Sequence, residues 1–124
     1  MKKSRALAIK RVYDPPESTD GVRILVDRLW PRGLSKDKAK VDLWLKDIAP
    51  SDRLRRWFAH DPKKWTKFLR DYFRELGEKD EAIKLVAEKA AAEKVTLLYG
   101  AKEDEFNNAV ALRSYLAAKT KKAK

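Results

Sequence analysis

Two near-continuous apolar runs stand out against a heavily charged chain: V-R-I-L-V at residues 22–26 and V-T-L-L-Y at residues 95–99. Neither alternates strictly, which is the pattern of strands covered on both faces of a parallel sheet. Residues 6–12, A-L-A-I-K-R-V, make a shorter first strand with Leu7 and Ile9 on one face at period two. A turn-rich stretch from Tyr13 through Pro15-Pro16 to Asp20-Gly21 separates it from the second strand. After the second strand the period changes to that of helices. Ser35 can cap one short turn, whereas residues 41–48, with Val41, Leu43, Trp44, Leu45 and Ile48 among polar neighbours, are too short to type.

Ser51 and Asp52 begin a helix on which Leu54, Trp57 and Phe58 fall at i, i+3 and i+4, and His60-Asp61-Pro62 ends it. Asp61 then caps the next helix with Pro62 at its first position. In that helix Trp65, Phe68, Leu69, Tyr72, Phe73 and Leu76 form one apolar face, which Gly77 stops. A helix over residues 80–93 buries Ile83, Val86 and Ala90. A last one, entered through residues 100–104, packs Phe106, Ala109, Val110, Leu112 and Leu116 inward before a basic tail that frays from about residue 118. Helices between the second and third strands demand a crossover, and a right-handed one makes those strands parallel. The expectation is one α/β domain of 124 residues: a small three-layer arrangement with a short, mainly parallel central sheet and four to five helices.

Composition narrows the chemistry. There is no cysteine, so disulfides and thiol catalysis are excluded, and with one histidine, His60, a zinc site would have to be built mostly from carboxylates. No metal site is expected. No signal peptide or membrane-spanning run is apparent, so a cytoplasmic protein without a membrane partner is expected. The net charge of +11 is unevenly spread. Lys2, Lys3, Arg5, Lys119, Lys121, Lys122 and Lys124 place seven positive charges at the termini, and residues 28–70 hold 13 bases against 5 acids. The middle of the chain therefore carries a field an anion could use.

The chemistry-bearing residues gather where strands end. The second strand runs into Asp27-Arg28-Leu29-Trp30-Pro31-Arg32-Gly33 and the third into Tyr99-Gly100-Ala101-Lys102. In a parallel sheet both loops lie on the edge where open α/β folds bind ligands. Arg28 and Arg32 can clamp a phosphate or carboxylate, Gly33 and Gly100 permit close backbone approach, and Lys102 would stand before a helix N-terminus. Asp27, the carboxylate leaving a buried strand, is a candidate general base, and His60 a candidate acid or base; each has a structural alternative, as a loop-fixing ion pair or a cap. Tyr13 and Tyr99 can stack on or bond a ligand.

These residues also carry a resemblance. K-R-V-Y-D, D-G-x-R-x-L-V-D-R-L-W-P-R-G, I-A-P-S-x-x-L-R-x-W-F-x-H-D-P and T-L-L-Y-G-A-K resemble the YeaO-like branch of the domain of unknown function 488 family, from Ile9 to about Leu116. The family implies a similar α/β fold and leaves activity and cofactor unassigned. Its motifs coincide with Lys10, Arg11, Tyr13, Asp27, Arg28, Trp30, Pro31, Arg32, Gly33, Arg55, Trp57, Phe58, His60, Tyr99, Lys102 and Asn107. The chain departs from the branch at Asn108, where relatives commonly carry histidine, and it lacks the cysteine of larger relatives, near Tyr99. Three functions follow as expectations: a crevice for a small, phosphorylated or nucleotide-like anion, with or without catalysis; a nucleic-acid-binding module using Arg53, Arg55, Arg56, Lys63, Lys64, Lys67 and the tails; or a regulatory interaction domain. Oligomeric state is left open.

Overall fold

The computed structural model describes residues 7–122, with side chains as far as Lys119. Ala6, at the expected start of the first strand, and the tail cations Lys2, Lys3, Arg5 and Lys124 lie outside these residues. The elements run β1 (Ala8–Arg11), β2 (Val22–Leu25), α1 (Lys36–Ala39), β3 (Leu43–Trp44), α2 (Asp52–Phe58), α3 (Trp65–Leu76), α4 (Asp80–Ala92), β4 (Val95–Tyr99) and α5 (Asn108–Lys122). The sheet order is β1-β4-β2-β3 and every neighbouring pair is parallel. The two apolar runs are thus the two inner strands. Every residue of β4 is buried, and Ile24 and Leu25 of β2 are fully so.

The fourth strand is the addition to what the pattern predicts. Leu43 and Trp44 pair with Ile24 and Leu25 over only two residues, inside the segment too short to type. Trp44 is held there by its indole, which donates to the carbonyl of Asp27 at 2.8 Å.

Parallel pairing gives each sheet face a different cover. Ile24, Val26, Val95, Leu97 and Tyr99 face the main core, built with Phe58 of α2, Phe68, Tyr72 and Leu76 of α3, Ile83 and Val86 of α4, and Leu112 and Leu116 of α5. Stacking of Phe58 on Phe68, 4.2 Å between centroids, locks α2 onto α3. Removal of these side chains from water is the main stabilising term, about 1.5–3 kcal/mol for each large one. The opposite face is thinner: Val12, Leu25, Ala39 and Leu98, closed by Trp30, Leu34, Val41 and Trp44. The β1–β2 connection enters β2 tightly, because Gly21, at φ 69°, lies where a Cβ would stand 2.3 Å from the Lys94 carbonyl oxygen just before β4.

The caps read from sequence are in place: Ser35 Oγ accepts from Lys38 N–H, Ser51 Oγ from Leu54 N–H, and Asp61 from Lys63 N–H. Pro62 opens a 3-10 turn that feeds α3. Gly77 ends α3 in right-handed conformation, its N–H bonded to Phe73 O. Among the described residues no helix is long and apolar enough to cross a membrane.

Candidate functional site

Because all four strands are parallel, their C-terminal ends share one edge, and the chain after β2 meets the chain after β4 there. Asp27 joins them: its Oδ2 accepts the Gly100 N–H at 2.8 Å. Beside this junction is a cleft of about 160 Å³, lined by Asp27, Arg28, Leu29, Ala49, Pro50, Arg55, Phe58, His60, Phe68, Ala101 and Asn108.

Each polar wall has a local cause. Asn107 caps α5, its Oδ1 accepting Val110 N–H at 3.0 Å while its amide donates to Glu103 O at 2.9 Å. That cap fixes Asn108 at the first helical position, where its amide donates to Val26 O at 2.9 Å and Asp27 Oδ1 at 3.2 Å. Ala59 and His60 then both adopt left-handed backbone, φ 45° and 57°, turning the imidazole back toward the cleft. Two successive non-glycine residues in this region store strain, a feature that clusters at functional sites. His60 Nδ1 lies 3.1 Å from Phe106 O, and since a carbonyl only accepts, Nδ1 carries a proton.

The charges are unequally engaged. Burial pushes the Asp27 carboxyl up, against the opposing pull of the Gly100 N–H, the Asn108 amide, His60 and Arg55. Arg55 bonds Asp52 at 3.1 Å, and this bond chiefly holds the Asp52 carboxyl below its usual range. Arg28 makes one long bond, Nη2 to Pro50 O at 3.4 Å, and its Nε is buried with no hydrogen-bond partner, 4.0 Å from Asp52. Two guanidinium groups therefore border a cleft whose own carboxylate is already occupied by neutral donors.

The residues expected from sequence divide into three groups. Asp27, Arg28 and His60 line the cleft together. Arg11, Tyr13, Arg32 and Gly33 belong to the same edge but not to the cleft. Arg11 Nε donates to Ala101 O at 2.8 Å, its guanidinium covers the Tyr13 ring, and Tyr13 Oη donates to Arg32 O at 2.8 Å. Trp30, Tyr99 and Asn107 serve the fold. Trp30 donates to Leu34 O and packs edge-on to Trp44 at 5.4 Å. Tyr99 is 4% exposed in the main core, and burial raises its phenol. Lys102 is exposed, and it does not precede a helix directly: α5 starts only at Asn108, because Glu103 first turns the chain by accepting the N–H groups of Glu105 and Phe106.

Leu29, Arg55 and Asn108 line the cleft without having been singled out as ligand contacts. In the sequence Arg55 is a residue of the L-R-x-W-F motif and an expected nucleic-acid contact, and Asn108 is the departure from the family's histidine; neither reading places the residue in the cleft. Among the described residues no group of three or more histidine and carboxylate side chains could hold a metal ion.

The chain matches the family described as the inactive DUF488-N3 subclade over residues 6–124. It is 44% identical over 107 residues to the uncharacterised protein YeaO of Escherichia coli K12, covering 86% of this chain and 93% of that one. It is 42% identical over 76 residues to the uncharacterised proteins Rv3073c of Mycobacterium tuberculosis and Mb3100c of Mycobacterium bovis, covering 61% of this chain and 64% of each of those. No solved structure matches it.

Proposed function

The chain belongs to the DUF488 family, in its inactive N3 subclade, and from that premise we propose that the cleft at the strand ends binds a small anion and holds it without turnover. The observation that carries the reading is the Nε of Arg28, which is buried without a hydrogen-bond partner. A donor atom left without an acceptor is unfavourable, and a phosphoryl or carboxylate oxygen would supply that acceptor. Arg55 adds a second cation on the same cleft, and the capped start of α5 favours negative charge.

Size restricts the ligand. A volume of about 160 Å³ is close to that of an engineered cavity that binds benzene, roughly 150 Å³, and below the ~300 Å³ of ordinary ligand pockets. A phosphate or short carboxylate fits such a space, and the rest of any larger ligand would lie outside the cleft. Turnover is disfavoured by the partners of Asp27. Both its oxygens accept hydrogen bonds, and Asn108, the side chain that donates to one of them, can hold a ligand but cannot exchange a proton.

Titration with phosphate, sulfate and a short carboxylate, followed by amide chemical shifts, tests the reading. Saturable shifts at Gly100 and Asn108 are the expected outcome. A ligand at ten times its Kd should also stabilise the protein by about 1.4 kcal/mol. The absence of any saturable shift at these amides would overturn it.

A further inference from the structure

On the other side of α2 from the cleft, Arg53 and Trp57 stand one helical turn apart above α3. With Leu54, Lys67, Arg74 and the acids Asp71 and Glu75 they border a groove of about 510 Å³. Trp57 is 36% exposed, and the helix does not need it for the core, which takes Leu54 and Phe58 instead. Its ring is surrounded by cations: Lys64 Nζ lies 4.9 Å and Lys67 Nζ 5.4 Å from the centroid.

The charge around it is one-sided. Residues 51–76 contain eight basic and four acidic side chains, while residues 78–93 contain three basic and five acidic ones. All four acids of the first segment are tied down locally. Asp52 holds Arg55 and Arg56, Asp61 caps the Lys63 N–H, Asp71 pairs with Lys67 and Arg74, and Glu75 accepts from both the N–H and the hydroxyl of Ser51. Arg53 and Lys63 have no acidic partner among the described residues, and Arg70 shares Asp71 with Lys67 and Arg74.

We propose that this α2–α3 face binds single-stranded nucleic acid, with the Trp57 indole as its stacking platform and Arg53, Lys63, Lys64 and Arg70 contacting phosphates. An aromatic face beside a cationic track is the recurring design for unpaired strands, since every base offers a π-face and every nucleotide a charge. A duplex keeps its bases stacked on each other and cannot use the indole. An acidic peptide would satisfy the cations but has no need of Trp57. The proposal is independent of the anion cleft.

Fluorescence anisotropy with fluorescein-labelled 12-nucleotide oligo-U and oligo-dT tests it. Three or four phosphate contacts predict a slope of about −2 to −3 for the logarithm of affinity against that of salt concentration. Trp57→Ala should weaken binding roughly tenfold, whereas Trp57→Phe should keep most of it. An Arg53→Glu, Lys63→Glu double variant, both positions on the surface, should weaken it with an unchanged circular dichroism spectrum. Tighter binding of oligo-U or of oligo-dT supports the proposal equally and tells whether the sugar is read. Failure to bind at 50 mM salt, equal affinity for a duplex, equal displacement by poly-glutamate, or indifference to Trp57→Ala would each overturn it.

Discussion

The two ends of β2 carry the same residue types, aspartate and arginine, and use them in opposite ways. At the start of the strand Arg23 and Asp20 are closed on each other at 2.5 Å. The other nitrogens of Arg23 donate to Ala39 O at 2.7 Å and Lys40 O at 3.0 Å, and Lys10 Nζ lies 3.1 Å from Asp20. At the far end Asp27 and Arg28 do not pair. Asp27 takes the Gly100 N–H and the Asn108 amide, while Arg28 keeps an unused Nε. Burial is the largest influence on both carboxyls and raises each. At Asp20 the Glu17 N–H, Lys10 and Arg23 outweigh it and hold the carboxyl low; at Asp27 burial wins. Where every donor is spent, a charged cluster is scaffolding, and where one is left over, it is the start of a site.

The sharpest way to break this contrast is to cut the closed cluster. Arg23→Ala would leave Asp20 buried with Lys10 as its remaining cation and strip two carbonyls of their donors. Loss of one partner from a buried pair costs about 3–5 kcal/mol. Urea denaturation should show a loss of that order, with anion affinity unchanged in whatever fraction stays folded. A cost below about 1 kcal/mol would mean that the Asp20 cluster is as loosely held as the Arg28 one.

What was legible in the sequence follows the same division. The inner strands, the aromatic face of α3 and the caps Ser35, Ser51 and Asp61 each depend on neighbours within a few positions, so local pattern reveals them. Strand β3 escaped because two residues have no period, and because what fixes Trp44 is a carbonyl 17 positions away. Asp27, Arg28 and His60 were legible as cleft residues since strand ends and helix ends place them. Arg55 and Asn108 were not, since their approach to Asp27 depends on how α2 and α5 pack. Trp30 and Asn107, drawn from motif matches, hold a loop and a helix cap, and Tyr99, read as a ligand contact at a strand end, packs in the main core. Asn107, fully buried as a cap, gives the next test. Asn107→Ala should lower stability by about 1–2 kcal/mol, near the top of the range for caps because both ends of its amide are bonded.

The two aspartates should also give pH dependences of opposite sign. Asp20 is held below the ordinary carboxylate value of 3.8, so its contribution is present above that value and fades as pH falls toward the lowered one. Asp27 is raised above 3.8, so the native state binds its proton more tightly than the unfolded chain does. Its contribution is present below 3.8 and fades as pH rises through the raised value. Measured against Asp20→Asn, the wild type should gain stability as pH climbs from the lowered value to 3.8. Measured against Asp27→Asn, it should lose stability from 3.8 upward. Slopes of the same sign would remove the physical basis for treating the two ends differently.

The smallest expected change in stability is at Arg28, and it is the most informative about function. The side chain makes one hydrogen bond at the limit of length and a 4.0 Å approach to a half-exposed aspartate, so Arg28→Ala should alter unfolding free energy by no more than about 0.5 kcal/mol. Phosphate binding at the cleft should nonetheless fall at least tenfold, since the variant loses the donor that the anion would satisfy. Asp52 competes with any ligand for Arg28 and Arg55, so Asp52→Asn should act the other way and tighten phosphate binding severalfold at low salt. Opposite effects from two neighbouring surface positions would place the anion between the guanidinium groups. If Arg28→Ala instead destabilised the fold as severely as Arg23→Ala while phosphate affinity held, the two ends of β2 would be scaffolding alike.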